Sequence, residues 1–179
     1  MTQDSASKPP RRPLYTPEER RRRDESVWTI VQGILAPVQF LVFLVSLFLV
    51  LRYLLTDFGY EAATISVVVK TLVLYTIMIT GSIWEKVVFG KYLFVEAFFW
   101  EDVFSMLVLA LHTAYLVAVF TGLDHQTQMF IALAAYATYI INAGQFLIKL
   151  RAARLDSQRM DAERTESVPN SGALAGAAE

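Results

Sequence analysis

The 179-residue chain has no cysteine. That excludes disulfides, thiolate nucleophiles, iron-sulfur clusters and Cys-ligated zinc, and leaves the redox compartment unmarked. Imidazole is nearly as scarce, with only His112 and His125. There is no phosphate-cradling glycine loop, dinucleotide fingerprint, HExxH helix or nucleophile elbow, so the common routes to nucleotide, metal-hydrolytic and serine chemistry are closed. Positive charge is also missing where it would be informative to find it. Thr56 to Glu61 and Thr121 to Gln128, which separate long apolar runs, carry no Lys or Arg.

Apolar residues are plentiful instead. At 55% hydrophobic and a mean hydropathy of +0.41, the chain exceeds the roughly 45–50% apolar share of soluble domains and reads as a small membrane protein. Four runs are each long enough for the roughly 20 residues that cross a hydrocarbon core: 30–55, 62–83, 98–120 and 129–148. The first follows a charged leader and exceeds the roughly 7–15 apolar residues of a signal-peptide core, so it reads as a retained span.

The predicted organisation has three parts. Residues 1–14 are polar and Pro-rich and read as disordered. Residues 15–155 form the transmembrane domain, and 156–179 are expected to be mostly disordered after a charged helical continuation. Thr16-Pro17-Glu18-Glu19 has the pattern of a capping box with proline at the first helical position, so a helix is predicted from Pro17, running through Trp28 into the first span. Gly122 is placed as a helix C-terminal stop, and Trp84 to Ala97 is read as the middle loop.

Lys and Arg number seven before the first span, two in the middle loop (Lys86, Lys91) and five after the last. The positive-inside rule then puts both termini and the middle loop in the cytoplasm, as an even number of spans requires. The expected fold is an all-α integral membrane protein, four transmembrane helices in an antiparallel bundle. A basic patch for nucleic acid has no support in this setting; the Arg run is a topology signal.

Each span carries a polar stripe that a lipid-facing helix has no reason to keep, so the stripes should face one another. They are Gln32, Gln39 and Ser46; then Lys70 with Thr71, Tyr75 and Ser82; then Glu101, Ser105, His112 and Tyr115, with Asp102 one position round; then Thr138, Asn142, Gln145 and Lys149. At 1.5 Å per residue Lys70 and His112 both lie about 12 Å below the outer surface and are expected to be neighbours. Glu101 and Asp102 lie instead near the cytoplasmic face, level with Trp84-Glu85-Lys86 and within reach of Gln145 and Lys149. Charges at bilayer depth are costly unless paired, neutralised or wet, so they mark candidate functional sites.

Plainer readings stand beside these. Glu85 and Lys86 fit interfacial anchors, Lys70 with His112 fits a helix-helix contact, and the aromatic clusters fit belt or core positions. A proton-coupled transporter would use the same buried charges. From spacing alone the chain is a small four-span protein with a buried carboxylate pair.

Three stretches carry a resemblance: Trp28-Thr-Ile-Val-Gln-Gly-Ile-Leu-Ala-Pro-Val-Gln-Phe-Leu-Val-Phe-Leu, Thr80-Gly-Ser-Ile-Trp-Glu-Lys-Val-Val-Phe-Gly-Lys-Tyr-Leu-Phe, and Phe98-Phe-Trp-Glu-Asp-Val-Phe-Ser-Met-Leu-Val-Leu-Ala-Leu-His-Thr-Ala-Tyr. From about Tyr15 to Leu155, including Asn142-Ala-Gly-Gln-Phe-Leu-Ile-Lys, the chain resembles the 2-vinyl bacteriochlorophyllide hydratases. The resemblance implies a hydro-lyase of bacteriochlorophyll biosynthesis in the cytoplasmic membrane of a photosynthetic bacterium. It would add water to the C3 vinyl group of chlorophyllide a, or of 3-vinyl bacteriochlorophyllide, without a cofactor or metal of its own. A non-catalytic chlorin-binding or assembly protein is the alternative, and further copies of the chain or other enzymes of the pathway are the partners left open.

The resemblance supplies no catalytic residues; those follow from the chemistry. A vinyl group on a chlorin is protonated at its terminal carbon, and water adds to the ring-stabilised cation. Glu101 is therefore read as the acid and Asp102 as the group that orients or deprotonates the water. Tyr75, Trp84 and Trp100 are candidate walls, and Lys86 a partner for the substrate propionate. His112 is a candidate ligand for the substrate's magnesium, in which case Lys70 and Tyr75 become the better acid candidates, because His112 lies about 16 Å along the helix from Glu101.

Overall fold

The computed structural model describes residues 14–167, with side chains through 160 and at 162. Helix α1 (Pro17–Glu25) precedes four long helices, α2 (Val27–Thr56), α3 (Tyr60–Phe89), α4 (Phe99–Phe120) and α5 (His125–Ser167). All four long helices are apolar and long enough to cross a membrane. The two end segments read as disordered fall outside the described residues up to position 13 and beyond position 167.

The capping box is present as expected: Thr16 accepts from the Glu19 N–H, while the Glu19 carboxylate accepts from the Thr16 N–H at 2.8 Å. The helix does not continue into the first span, however. Ser26 adopts an extended ψ of 127°, and its hydroxyl accepts from the Trp28 N–H, so it ends α1 and caps α2. The break frees α1 to pack across the bundle end, where Arg22 donates to the Val88 carbonyl at 3.2 Å and Tyr15 stacks on Phe89.

Two further boundaries differ from expectation. Helix α3 continues through Trp84–Phe89, where the sequence pattern predicts loop, and stops at Gly90 with φ +84°. Helix α5 begins at His125 and runs to Ser167, so the stretch from 156 is helical as far as the structure is described. Gly122, at φ +68°, ends α4 as predicted: its N–H reaches the Val119 carbonyl and the Leu123 N–H the Ala118 carbonyl.

The stripes largely meet. Gln32 donates to Thr80, and the Ser46 hydroxyl lies 2.7 Å from Ser66 and 2.5 Å from the Tyr136 hydroxyl. Asn142 donates to Ser105 at 2.9 Å. Thr138 and Ser82 instead bond carbonyls of their own helices. Phe43, Val50, Val67, Leu74, Val108, Tyr115 and Tyr136 fill the centre, while apolar side chains such as Ile34, Leu55, Ile65 and Phe120 face outward. At the end near His125 the bundle is closed by Tyr60, stacked on His125 at 3.6 Å and hydrogen-bonded to Gln128 at 2.6 Å.

A methyl group at Gly122 or Gly33 would meet nothing within 4 Å, so backbone conformation alone separates the two sites. Gly122→Ala should destabilise by about 1–2 kcal/mol because the left-handed conformation penalises a Cβ. Gly33→Ala, inside a helix, should be neutral or stabilising by up to about 1 kcal/mol. Thermal unfolding in detergent would show the two melting temperatures moving apart.

Candidate active site

Glu101 and Asp102 open α4 in its first turn, and the helical rotation of about 100° per residue points them at different neighbours. Glu101 turns to α5, where its Oε1 lies 3.2 Å from Lys149 Nζ. Lys149 also donates to the Ala97 carbonyl and lies over the Phe98 ring at 5.4 Å. Asp102 turns to α3 instead. Its carboxyl lies beside that of Glu85, close enough for the two to interact, and its Oδ2 accepts from the Phe94 N–H at 2.7 Å.

All three carboxyls are buried, at 6% exposure for Glu85, 7% for Glu101 and 3% for Asp102. Two carboxyl groups side by side in an apolar setting disfavour double ionisation, so the Glu85–Asp102 pair is suited to share a proton. Glu101 is instead ion-paired with Lys149. Glu85 Oε2 and Glu101 Oε2 make no hydrogen bond to protein. Each pair therefore keeps one free oxygen in an apolar setting.

The adjacent carboxylates thus lie at the predicted level, with Glu85 and Lys149, but each has its closest partner on a different helix. Glu85 is the residue the sequence reading missed, having been read as an interfacial anchor. The available signal was Gly90: a C-terminal glycine five residues on extends α3 past Glu85 and makes it part of the bundle. The connection 90–98 then crosses over the pair. It is tied down by Asp102 at Phe94, whose φ of +57° is a left-handed conformation held by a non-glycine residue.

Aromatic side chains surround this end. Trp84, half-buried, packs edge-on to Phe89 and Phe98 and donates to Thr29 at 2.9 Å. Tyr15 lies against Phe89 and Phe98, where burial pushes its hydroxyl above the ordinary value, opposed by Arg23 stacked 4.7 Å over the ring. Tyr92, Phe94, Phe99 and Trp100 are exposed, with Trp100 at 66%. Lys86 is exposed beside them, 5.3 Å from the Tyr92 ring centroid.

The remaining candidates lie apart. Lys70 and His112 are neighbours, as predicted, and close enough to interact electrostatically, but both are fully buried. The ammonium sits 3.8 Å over the Tyr139 ring. The His112 Nδ1–H donates to the Val108 carbonyl at 2.8 Å. Neither side chain is open to a flat macrocycle. Tyr75 bonds Thr113 at 2.8 Å, beside an open apolar groove of about 590 Å³ along α4 from Met106 to Leu123. Among the described residues no cluster of three His, Asp or Glu side chains suits a metal ion.

Known proteins resemble this chain closely. The model of the 2-vinyl bacteriochlorophyllide hydratase family matches residues 15–152. A protein of that name from Rhodobacter capsulatus is 69% identical over 159 residues, covering 89% of this chain and 93% of the relative. Another of that name, from Cereibacter sphaeroides, is 70% identical over 149 residues, covering 83% and 93%. No solved structure matches. With four-fifths or more of the chain aligned at about 70% identity and the family model covering residues 15–152, the chain belongs to the 2-vinyl bacteriochlorophyllide hydratase family.

Proposed function

We propose that this protein adds water across the C3 vinyl group of chlorophyllide a or the related 3-vinyl bacteriochlorophyllide. The product is the 3-(1-hydroxyethyl) pigment. The observation that carries the mechanism is the adjacent Glu85 and Asp102 carboxyls at one end of the bundle, with the Lys149-paired Glu101 beside them on α4. The pair delivers its proton to the terminal vinyl carbon, and the positive charge spreads into the macrocycle. Water attacks the carbon next to the ring, forming the C–O bond, and Glu101 accepts the proton that water loses. Transfer of that proton back to the pair restores the site, so one water is consumed and no redox step occurs.

This assignment keeps Glu101 and Asp102 in the site but changes their tasks, because a carboxylate paired with Lys149 is better suited to accept a proton than to give one. The exposed rim of Tyr92, Phe94, Phe99 and Trp100 offers flat apolar surfaces to a pigment arriving from the lipid, and Trp84 forms the wall behind. Lys86 and Lys91 are placed to meet the substrate's propionate. Lys70 and His112, sealed in the core, are not assigned contacts with the pigment.

The bundle is proposed to be antiparallel, with both termini and the 90–98 connection in the cytoplasm of a photosynthetic bacterium and the helices in its cytoplasmic or intracytoplasmic membrane. The contacts Gln32–Thr80 and Ser46–Ser66 support this arrangement of α2 and α3, and the Lys and Arg distribution supports the orientation. Because the chain has no cysteine, single substitutions report side directly. A membrane-impermeant thiol reagent should label Asp57→Cys and Leu123→Cys in intact cells, and Lys91→Cys only after permeabilisation.

Purified protein given chlorophyllide a should shift the red absorption band to shorter wavelength and add the mass of one water. Pigment that binds without product would favour the non-catalytic carrier instead. Glu85→Gln and Asp102→Asn should each lower kcat by about 10²–10⁴-fold, the usual worth of a positioned general acid. Full turnover by Glu85→Gln would remove the pair from the mechanism. Lys86→Met and Lys91→Met should raise KM and leave kcat nearly unchanged, since they touch the propionate and not the vinyl group.

A further inference from the structure

Among the described residues, nine buried or half-buried side chains carry polar atoms with no hydrogen bond to protein; two, Thr64 and Tyr115, lie towards His125 and close enough to interact with each other. The other seven supply Lys70 Nζ, His112 Nε2, both amide atoms of Gln39, Asn142 Oδ1, Gln145 Oε1, Glu101 Oε2 and Glu85 Oε2. They come from all four long helices. Lys70 and His112 are fully buried and Gln39 is 2% exposed. Polar side chains between transmembrane helices ordinarily bond across to one another, as Asn142 does to Ser105 through its amide nitrogen. These atoms do not, although an unpaired polar group in such a place is costly.

Their positions follow the bundle axis. Lys70 Nζ lies among the rings of Phe43, Tyr136 and Tyr139, and His112 packs on Tyr136. One turn from Phe43 towards the carboxyls comes Gln39, and about one turn from Tyr139 in the same direction comes Asn142. Asn142 holds Ser105, which is one turn from Glu101 on α4. From His112 to Glu101 the helix rises about 16 Å. Buried polar groups without protein partners are satisfied by internal water, which needs two or more such groups within reach.

We propose that a column of water runs inside the bundle from Lys70 and His112, past Gln39 and Asn142, to Glu101 and Glu85, and that it supplies the carboxyl cluster with the water consumed in each turnover. The column is blind. Beyond Lys70 and His112, the Ser46–Ser66–Tyr136 hydrogen bonds and the fully buried Val50 and Val67 close the core. The stack of Tyr60 on His125 closes the end of the bundle. A closed end keeps the column from conducting protons across the membrane, which sets it apart from the path a proton-coupled transporter needs. The supply role rests on the hydratase reading; the column itself does not.

Pulsed hydroxyl-radical footprinting of the full chain in lipid nanodiscs reads the column directly, because radicals formed from bound water oxidise the side chains next to it. Phe43 and Tyr139, though buried, should be oxidised faster than Met129, which is intrinsically more reactive, fully buried and off the column, with Phe43 at 2% exposure the closer match. Protection of Phe43 and Tyr139 would overturn the column. For the supply role, Gln39→Leu should lower kcat about tenfold at unchanged KM, without loss of thermal stability, and Gln39→Asn should recover most of the rate. Full turnover by Gln39→Leu would overturn that role. Oxidation at Phe43 and Tyr139 in a wild-type protein that hydrates no pigment would overturn the hydratase reading and the supply role together, and leave the column in place.

Discussion

Two adjacent carboxylates at the start of α4 cannot point the same way, and the rest of the site depends on that constraint. A rotation of about 100° sends Glu101 towards Lys149 on α5 and Asp102 towards Glu85 on α3. One turn of helix therefore ties three helices together at a single level. It also creates two different electrostatic environments at one level of the bundle: two carboxyls side by side, and a carboxyl paired with a lysine. A reaction that gives a proton to carbon and takes one from water needs both. Carboxyl side chains next to one another acquire different tasks from their neighbours.

The surrounding structure keeps this arrangement in place. The connection 90–98 is anchored through the Phe94 N–H on Asp102, and α1 folds back so that Arg22 and Tyr15 brace the end of α3. That bracing exists because Ser26 interrupts the helix. A continuous helix from Pro17 would carry its four arginines away from the site rather than across its edge. Further along the bundle, hydrogen bonds between helices contribute roughly 1 kcal/mol each in a membrane. Specificity of packing comes from several such bonds with the aromatic core, and the unpaired polar atoms between them are the exception that requires water.

Much of this was legible in the chain. Four apolar runs, the capping box at Thr16 and the stop at Gly122 follow from local chemistry, and helical periodicity placed Lys70 beside His112 and the acidic cluster beside Lys149. The helix boundaries were less legible, for identifiable reasons. Ser26 carries no stronger signal than any serine in a helix, since its capping role depends on the turn the chain makes there. The extent of α3 was obscured because Trp84-Glu85-Lys86 has the composition of a membrane interface, yet Glu85 belongs inside once Asp102 is opposite it. Trp100, read as a pocket wall, is exposed because its position on α4 faces away from both neighbouring helices.

By itself the sequence determined which segments are apolar enough to lie in lipid and which polar residues must turn away from it, because hydrocarbon penalises an unpaired charge whatever the fold. Through its resemblance, it also pointed to the family. The partner that each inward-facing carboxyl meets was decided only by the tertiary structure. Glu85–Asp102 and Glu101–Lys149 join helices across loops, and no local periodicity encodes which helix stands beside which. The carboxyl pair, the ion pair and the file of unpaired polar atoms that leads to them arise from that neighbour order and from the angle between two consecutive residues.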